Sequence, residues 1–205
     1  VIMGMGEPLL NYNNIVNALE ILTDPIYELF PRKKITLSTS GIAPRIKQLA
    51  KSARPVKLAI SLHATNNQIR DKIMPINQSF PLEVLLDAVE EYYKVTKLPI
   101  TYEYIVFDGL NDTAEDVKRL TKIARRVPSR VNIIPFNDIS FTKLDGIAKE
   151  LKPASIEKMQ SFASALRQAG VPCIVRETFG RDIEAACGQL ALSEKRTQLI
   201  PIEEF

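Results

Sequence analysis

The sequence predicts an α/β fold, a partial parallel (βα) barrel, and three observations carry that prediction. Short apolar runs rich in β-branched residues alternate with helical stripes along the chain. No linker-like shift in composition, low-complexity run or obvious repeat interrupts the alternation. Polar clusters stand where the strand candidates end, and in a barrel of parallel strands all the carboxyl ends open onto one face.

Taken in order, the strand candidates are Val1–Met5, Lys34–Thr39, Val56–Leu62, Ile100–Phe107, Val131–Phe136 and Pro172–Thr178. Their length and composition suit buried parallel strands. Between them, Ile15, Ala18, Leu19 and Leu22 recur at i, i+3, i+4 and i+7, one apolar stripe of a helix. Leu82, Leu85, Leu86, Val89 and Tyr93 make a second stripe on the longest helix. Val117, Leu120, Ala124 and Val127 make a third, entered by Thr113 with Asp116 three residues on, a pairing that resembles a capping box. Ile156, Met159, Ala163 and Leu166 make a fourth, with Gly170 placed to end it in the left-handed conformation. Right-handed crossovers would curl these strands into a barrel or half-barrel. The stretch Asp138–Pro153 is the least regular and reads as a loop over the site-bearing face.

At 205 residues with 45% hydrophobic and 25% charged residues, one domain with a real core is expected. Its span is 1–205, and because the sequence opens inside a strand at Val1-Ile2-Met3 it reads as a piece of a larger enzyme. No run approaches the roughly 18–20 apolar residues of a membrane span, so no membrane partner is expected. Two cysteines, Cys173 and Cys187, make no disulfide scaffold and fit a reducing cytoplasm. The net charge of +3 permits RNA binding without requiring it. Basic groups at Arg32-Lys33-Lys34, Arg125-Arg126 and Lys195-Arg196 read first as solvated helix ends and loops.

The candidate site residues follow from the strand ends. In Gly4-Met5-Gly6-Glu7-Pro8 the glycines admit close backbone approach, and Pro8 restricts Glu7 to extended backbone, presenting a carboxylate suited to an ammonium group. Ser38 and Ser40 offer hydroxyls to a carboxylate or ribose, with turn and cap roles as the plainer alternative. Ser61, Leu62 and His63 close the third strand candidate, and Asn137 follows Ile133-Ile134-Pro135-Phe136. With one histidine and two distant cysteines, the chain predicts no metal site of its own. Cys187, flanked by Ala185, Ala186 and Gly188, is sterically open at sulfur and is the candidate nucleophile. Cys173 lies in an apolar strand and reads as inert.

Together these residues make the chain resemble the radical S-adenosylmethionine (SAM) RNA methyltransferases that act on adenine carbon-2 of 23S ribosomal RNA and tRNA. The resemblance runs through Met3-Gly4-Met5-Gly6-Glu7-Pro8, Leu37-Ser38-Thr39-Ser40-Gly41, Ile60-Ser61-Leu62-His63-Ala64 and Met74-Pro75-Ile76-Asn77. It continues through Asn132-Ile133-Ile134-Pro135-Phe136-Asn137 and Asp182-Ile183-Glu184-Ala185-Ala186-Cys187-Gly188-Gln189-Leu190. It implies a partial barrel of the radical SAM type, with a carboxyl-terminal segment carrying the methyl-carrier cysteine. Gly6, Glu7, Ser38, Ser61, Leu62, His63 and Asn137 would bind SAM, and Cys187 would carry the methyl group. In the family, one SAM methylates the cysteine, and a second, cleaved at a 4Fe–4S cluster, yields the radical that activates that methyl. A second cysteine then releases the product and leaves the carrier in a disulfide.

The CxxxCxxC cluster motif and the resolving cysteine are absent from this sequence and precede Val1 in the family order. The chain by itself is therefore expected to be inactive, and the implied activity is that of its parent. Implied partners are 23S rRNA, tRNA and a reductant of the flavodoxin kind, with the protein a monomer. The sister activity on adenine carbon-8 is the nearest alternative, although Pro8 and Pro135-Phe136-Asn137 favour carbon-2. A non-catalytic SAM- or RNA-binding module is the alternative from another class. An aldolase-like barrel would need a lysine at a strand end, whereas Lys57 stands at the start of its run.

Overall fold

Parallel strands joined in sequence order can only be wound one way, and that winding organises this chain. The computed structural model describes residues 1–4, 6–26, 30–136 and 151–176. Five strands, β1 (Thr36–Thr39), β2 (Lys57–Ser61), β3 (Ile100–Ile105), β4 (Ser129–Ile134) and β5 (Cys173–Val175), form one sheet in the order β1-β2-β3-β4-β5. Every pairing is parallel. A sheet whose spatial order equals its chain order keeps its crossover helices on one side, the winding of a (βα) barrel rather than of a doubly wound sheet.

The helices are α1 (Tyr12–Leu22), α2 (Ala43–Ala50), α3 (Asn67–Ile73), α4 (Leu82–Thr96), α5 (Ala114–Ala124) and α6 (Ile156–Gln168). All four predicted stripes fall on helices except for Val127, which is buried just past the end of α5. Thr113 and Asp116 form a full capping box at the start of α5, each side chain accepting from the other's backbone N–H. Gly170 follows α6 with φ of 77°. The short helices α2 and α3 were not foreseen from apolar periodicity. The start of α3 is capped by Asn66, whose side chain accepts from the Ile69 N–H at 2.9 Å.

Among the described residues of the strand candidate Val1–Met5, Ile2 alone pairs, in an isolated parallel bridge to Leu37. Ile2 donates to Thr36 at 2.8 Å and accepts from Ser38 at 3.0 Å. Gly4, at φ 138°, then turns the backbone out of extended geometry.

The sheet has two unlike faces, where buried parallel strands had been expected. Leu37, Leu58, Ile60, Tyr102, Tyr104, Val131 and Ile133 alternate onto one face and are buried in the core with Ile46, Leu49, Leu85, Val89, Leu120, Phe162 and Leu166 of the helices. Tyr104 stacks on Phe162 with ring centroids 5.6 Å apart. The other face carries Ser38, Ala59, Ser61, Glu103 and Asn132, which the register sets side by side: Ser38 against Ala59, Ser61 against Glu103, and Glu103 against Asn132. Polar and small residues in that row leave space in front of the sheet. Among the described residues, no helix is long and apolar enough to cross a membrane.

Candidate functional site

The carboxyl ends of the strands border two adjoining cavities that share Met3, Gly4, Ser38 and Ser61. The outer one, about 550 Å³, is lined among others by Gly6, Glu7, Ser38, Thr39, Ser40 and Ser61. The inner one, about 260 Å³, is lined among others by His63, Glu103, Ile105, Ile134, Phe136 and Arg176. Gly6, Glu7, Ser38, Ser61 and His63 thus stand around one trough, although they come from widely separated parts of the sequence. Its place in front of the strand ends is where barrels of this winding build their sites.

Glu7 is locked. Its backbone is extended, at φ −111° and ψ 108°, as the following proline requires. One carboxylate oxygen accepts from the Leu9 N–H and the Thr39 hydroxyl, both at 2.9 Å; the other accepts from the Ser40 N–H at 2.6 Å and the Ser40 hydroxyl at 2.7 Å. Ser40 therefore does donate its hydroxyl to a carboxylate, but to that of Glu7. Four donors give the carboxylate one orientation and stitch the turn at Pro8–Asn11 to the end of β1. Gly41 completes the turn at φ 114°, and a Cβ there would lie only 3.0 Å from Leu85 Cδ1.

The backbone at Ser40, Ser61 and Leu62 is set by a residue that neither charge nor periodicity singles out. Arg70 is wholly buried and gathers the backbone at the ends of β1 and β2. Its Nη2 donates to the carbonyls of Ser40 at 2.7 Å and Ser61 at 3.1 Å, its Nε to that of Leu62 at 3.1 Å, and its Nη1 to Asn77 Oδ1 at 3.0 Å. Burial lowers its pKa to about 10, which leaves it a cation at neutral pH. Leu62 itself has its side chain in the core, and its N–H is engaged by the Glu103 carbonyl at 3.0 Å. Any contact from Leu62 to a ligand would therefore fall to backbone already in use.

His63 adopts a left-handed conformation, at φ 53°. Asn111 holds it there, donating from Nδ2 to the carbonyls of His63 and Ile105, each at 2.8 Å. The Ile105 N–H donates to His63 Nδ1 at 3.2 Å. Burial, helped by the Arg70 charge, pushes its pKa down to about 4. The imidazole is thus neutral, and with Nδ1 accepting, the proton sits on Nε2 as a donor.

Asn137 and Cys187 lie outside the described residues. Cys173 is buried on β5, and burial raises its thiol to about 11, in keeping with the inert role expected of it. Among the described residues, no group of three histidine, cysteine, aspartate or glutamate side chains is placed to hold a metal ion. Sequence reasoning missed Arg70, Asn111 and Glu103. Asn77 stood in a resembling segment without any assigned role, and no local pattern marks the other three.

Comparison with known proteins agrees with this geometry. The profile of the Radical SAM superfamily matches residues 1–124. A probable dual-specificity RNA methyltransferase RlmN of Christiangramia forsetii is 46% identical over 191 residues, which cover 93% of this chain and 52% of that protein. The protein of the same name from Streptococcus suis is 42% identical over 93% of this chain and 50% of its own length. The chain spans about half the length of the curated relatives it matches. Among solved structures, a radical SAM methyltransferase from Sphaerobacter thermophilus superposes with a TM-score of 0.81 at 37% identity, over 91% of this chain and 53% of that one. A domain of a pyruvate-formate lyase-activating enzyme from Bacteroides vulgatus shares the fold alone, with a TM-score of 0.63 at 16% identity over 86% of this chain and 98% of that one. With well over half of its length matched by the family profile and its strand ends forming one trough, the chain belongs to the radical SAM superfamily.

Proposed function

We propose that the full-length protein methylates carbon-2 of adenosine in 23S rRNA and tRNA, using SAM bound in the trough and Cys187 as the methyl carrier. The observation that carries this reading is the convergence of Gly6, Glu7, Ser38, Ser61 and His63 around one trough of two adjoining cavities. The relatives named as RNA methyltransferases support it, as does the methyltransferase structure.

The residues fit SAM in charge and shape. Glu7 supplies a fixed negative charge beside the open backbone of Gly6, where a Cβ would meet nothing within 4 Å. That charge suits the ammonium of an amino acid, which would take the place of a hydroxyl donor of Thr39 or Ser40 on the carboxylate. Ser38 and Ser61 present small polar side chains toward the shared middle of the trough, and His63 offers an Nε2–H donor. SAM, when bound, supplies the methyl group on an electrophilic sulfonium. The chain's own part is to hold that group in one pose, with carboxylate and backbone oriented beforehand by Thr39, Ser40 and Arg70. The described residues do not fit a 4Fe–4S cluster, since the one cysteine among them is Cys173 on β5. Asn137 joins the SAM site and Cys187 the chemistry in this proposal. The transient disulfide of the carrier, a flavodoxin-like reductant and a cytoplasmic setting belong to it too.

The test is anaerobic incubation of the full-length protein with SAM, followed by peptide mapping of both cysteines. Added methyl on Cys187 and not on Cys173 is expected, and an unmodified Cys187 with SAM bound would remove the reading. Mapping the methylated carbon in product RNA separates carbon-2 from carbon-8.

A further inference from the structure

The inner cavity contains a buried acid that the SAM site as proposed above does not use. Glu103 stands on β3 between Ser61 of β2 and Asn132 of β4 and is only 4% exposed. Its Oε1 accepts from Asn132 Nδ2 at 3.1 Å, while Oε2 is buried with no hydrogen-bond partner among the described residues. A buried carboxylate oxygen left unpaired is costly and uncommon in a folded protein. Here it belongs to a side chain that lines a cavity.

The rest of that cavity indicates what would satisfy it. Ile105, Ile134, Pro135 and Phe136 form apolar walls, and Phe136 is braced edge-on against Phe107 at 5.0 Å. Polar groups stand at a few points: the Glu103 carboxylate as acceptor, the His63 imidazole and the Ser38 and Ser61 hydroxyls as donors, and Arg176 as a cation. Apolar walls with a few convergent donors and acceptors suit a flat heteroaromatic ring that bears both kinds of group. We propose that Glu103 is a specificity residue whose free oxygen accepts a hydrogen bond from an adenine nucleoside seated in the inner cavity. The proposal rests on the reading of the trough as a SAM and adenosine site, and either the cofactor or the target RNA can bring that nucleoside. Burial raises the pKa of Glu103, while the Asn132 bond and the Arg176 charge favour its ionised, accepting form.

Glu103→Gln discriminates sharply. Asn132 donates to Oε1, so the glutamine carbonyl takes that side and its NH₂ takes the place of the unpaired Oε2. The shape is kept and the unpaired atom changes from acceptor to donor. SAM is titrated calorimetrically into reconstituted full-length wild type and Glu103→Gln. A hairpin RNA with one exposed adenosine is titrated in parallel, with an abasic version as control. The Tm is recorded for each protein. The expected result is an affinity loss of at least about tenfold with Tm unchanged or higher. Loss for SAM assigns the contact to the cofactor; loss for the adenosine hairpin alone assigns it to the target. Wild-type affinity for both overturns the proposal, whatever the Tm. Failure of the wild type itself to bind SAM overturns the proposed function and this inference with it. Should Glu103→Gln fold poorly, Glu103→Asp keeps the charge but withdraws it by one methylene; weaker binding is expected, and wild-type affinity counts against the contact.

Discussion

On β3, Tyr102 and Tyr104 turn toward the helices, while Glu103 and Ile105 turn toward the trough. The same alternation runs across the neighbouring strands, so one sheet carries a face that packs on the helices and a face that borders the trough, its proposed binding face. The packed face is apolar and closed, and the stack of Tyr104 on Phe162 joins β3 to α6. The binding face holds hydroxyls, an amide and a carboxylate at adjacent register positions. The contrast teaches that stability and ligand affinity are separable here by the parity of a residue along its strand. Arg70 is the exception, since it is buried with the core yet holds the backbone from which the trough is made.

Breaking the packed face should have the largest effect. Tyr104→Ala removes the stack and the hydroxyl bond to the Asn111 carbonyl, and should cost about 4 kcal/mol by denaturant unfolding. SAM affinity per folded molecule is expected to fall by no more than about threefold, since Tyr104 reaches the trough only through Asn111, which holds His63; a large loss of affinity would merge the two faces.

Arg70→Ala tests the exception and should cost about 3 kcal/mol, because several buried acceptors lose their donor. Affinity for SAM should fall with it. Arg70→Lys keeps the charge but loses the fork, so it should recover part of the stability and little of the affinity. Equal recovery of both would show that charge alone is what matters.

The third test uses pH. His63 has an ordinary pKa of 6.5 and a folded value of about 4, so between those values the unfolded chain binds a proton that the folded chain refuses. Stability from this group is complete above pH 6.5 and is lost as pH falls toward 4, about 3 kcal/mol in all. Glu103, whose pKa is raised, contributes in the opposite sense, its stabilisation fading as pH climbs above the ordinary carboxylate value. The difference between wild type and His63→Gln isolates the histidine, and parallel pH profiles for the two proteins would refute its assignment.

The smallest effect belongs to the binding face. Ser61→Ala leaves the Ser61 carbonyl bonded to Arg70 and should change stability by no more than about 0.5 kcal/mol. Its expected mark is a roughly fivefold weaker SAM affinity by calorimetry. Unchanged affinity would remove the Ser61 hydroxyl from the site.

Much of this was legible in residue order. The stripes of α1, α4, α5 and α6 could be read because 3.6-residue periodicity is a local property. Helix α3 was hidden because its seven residues, Asn67–Ile73, include few apolar positions and a buried arginine. The extended backbone of Glu7 was readable from Pro8, but the donors that seize its carboxylate lie about thirty residues away at Thr39 and Ser40. Strand ends could be placed, and with them Ser38, Ser61 and His63. Glu103 could not be found, since an acid inside Thr101-Tyr102-Glu103-Tyr104 looks like any solvent-facing strand residue until its neighbours are known.

By itself, then, the sequence determined the alternation of elements, the parallel sheet and the superfamily, because periodicity, capping and short motifs act within a few residues. The tertiary structure decided which atoms are free. Which oxygen of Glu103 lacks a partner, which nitrogen of His63 carries the proton, and which carbonyls Arg70 gathers all depend on strands brought side by side. Hydrogen bonds are settled by distances of about 3 Å between segments far apart in the chain, and no local pattern encodes those distances.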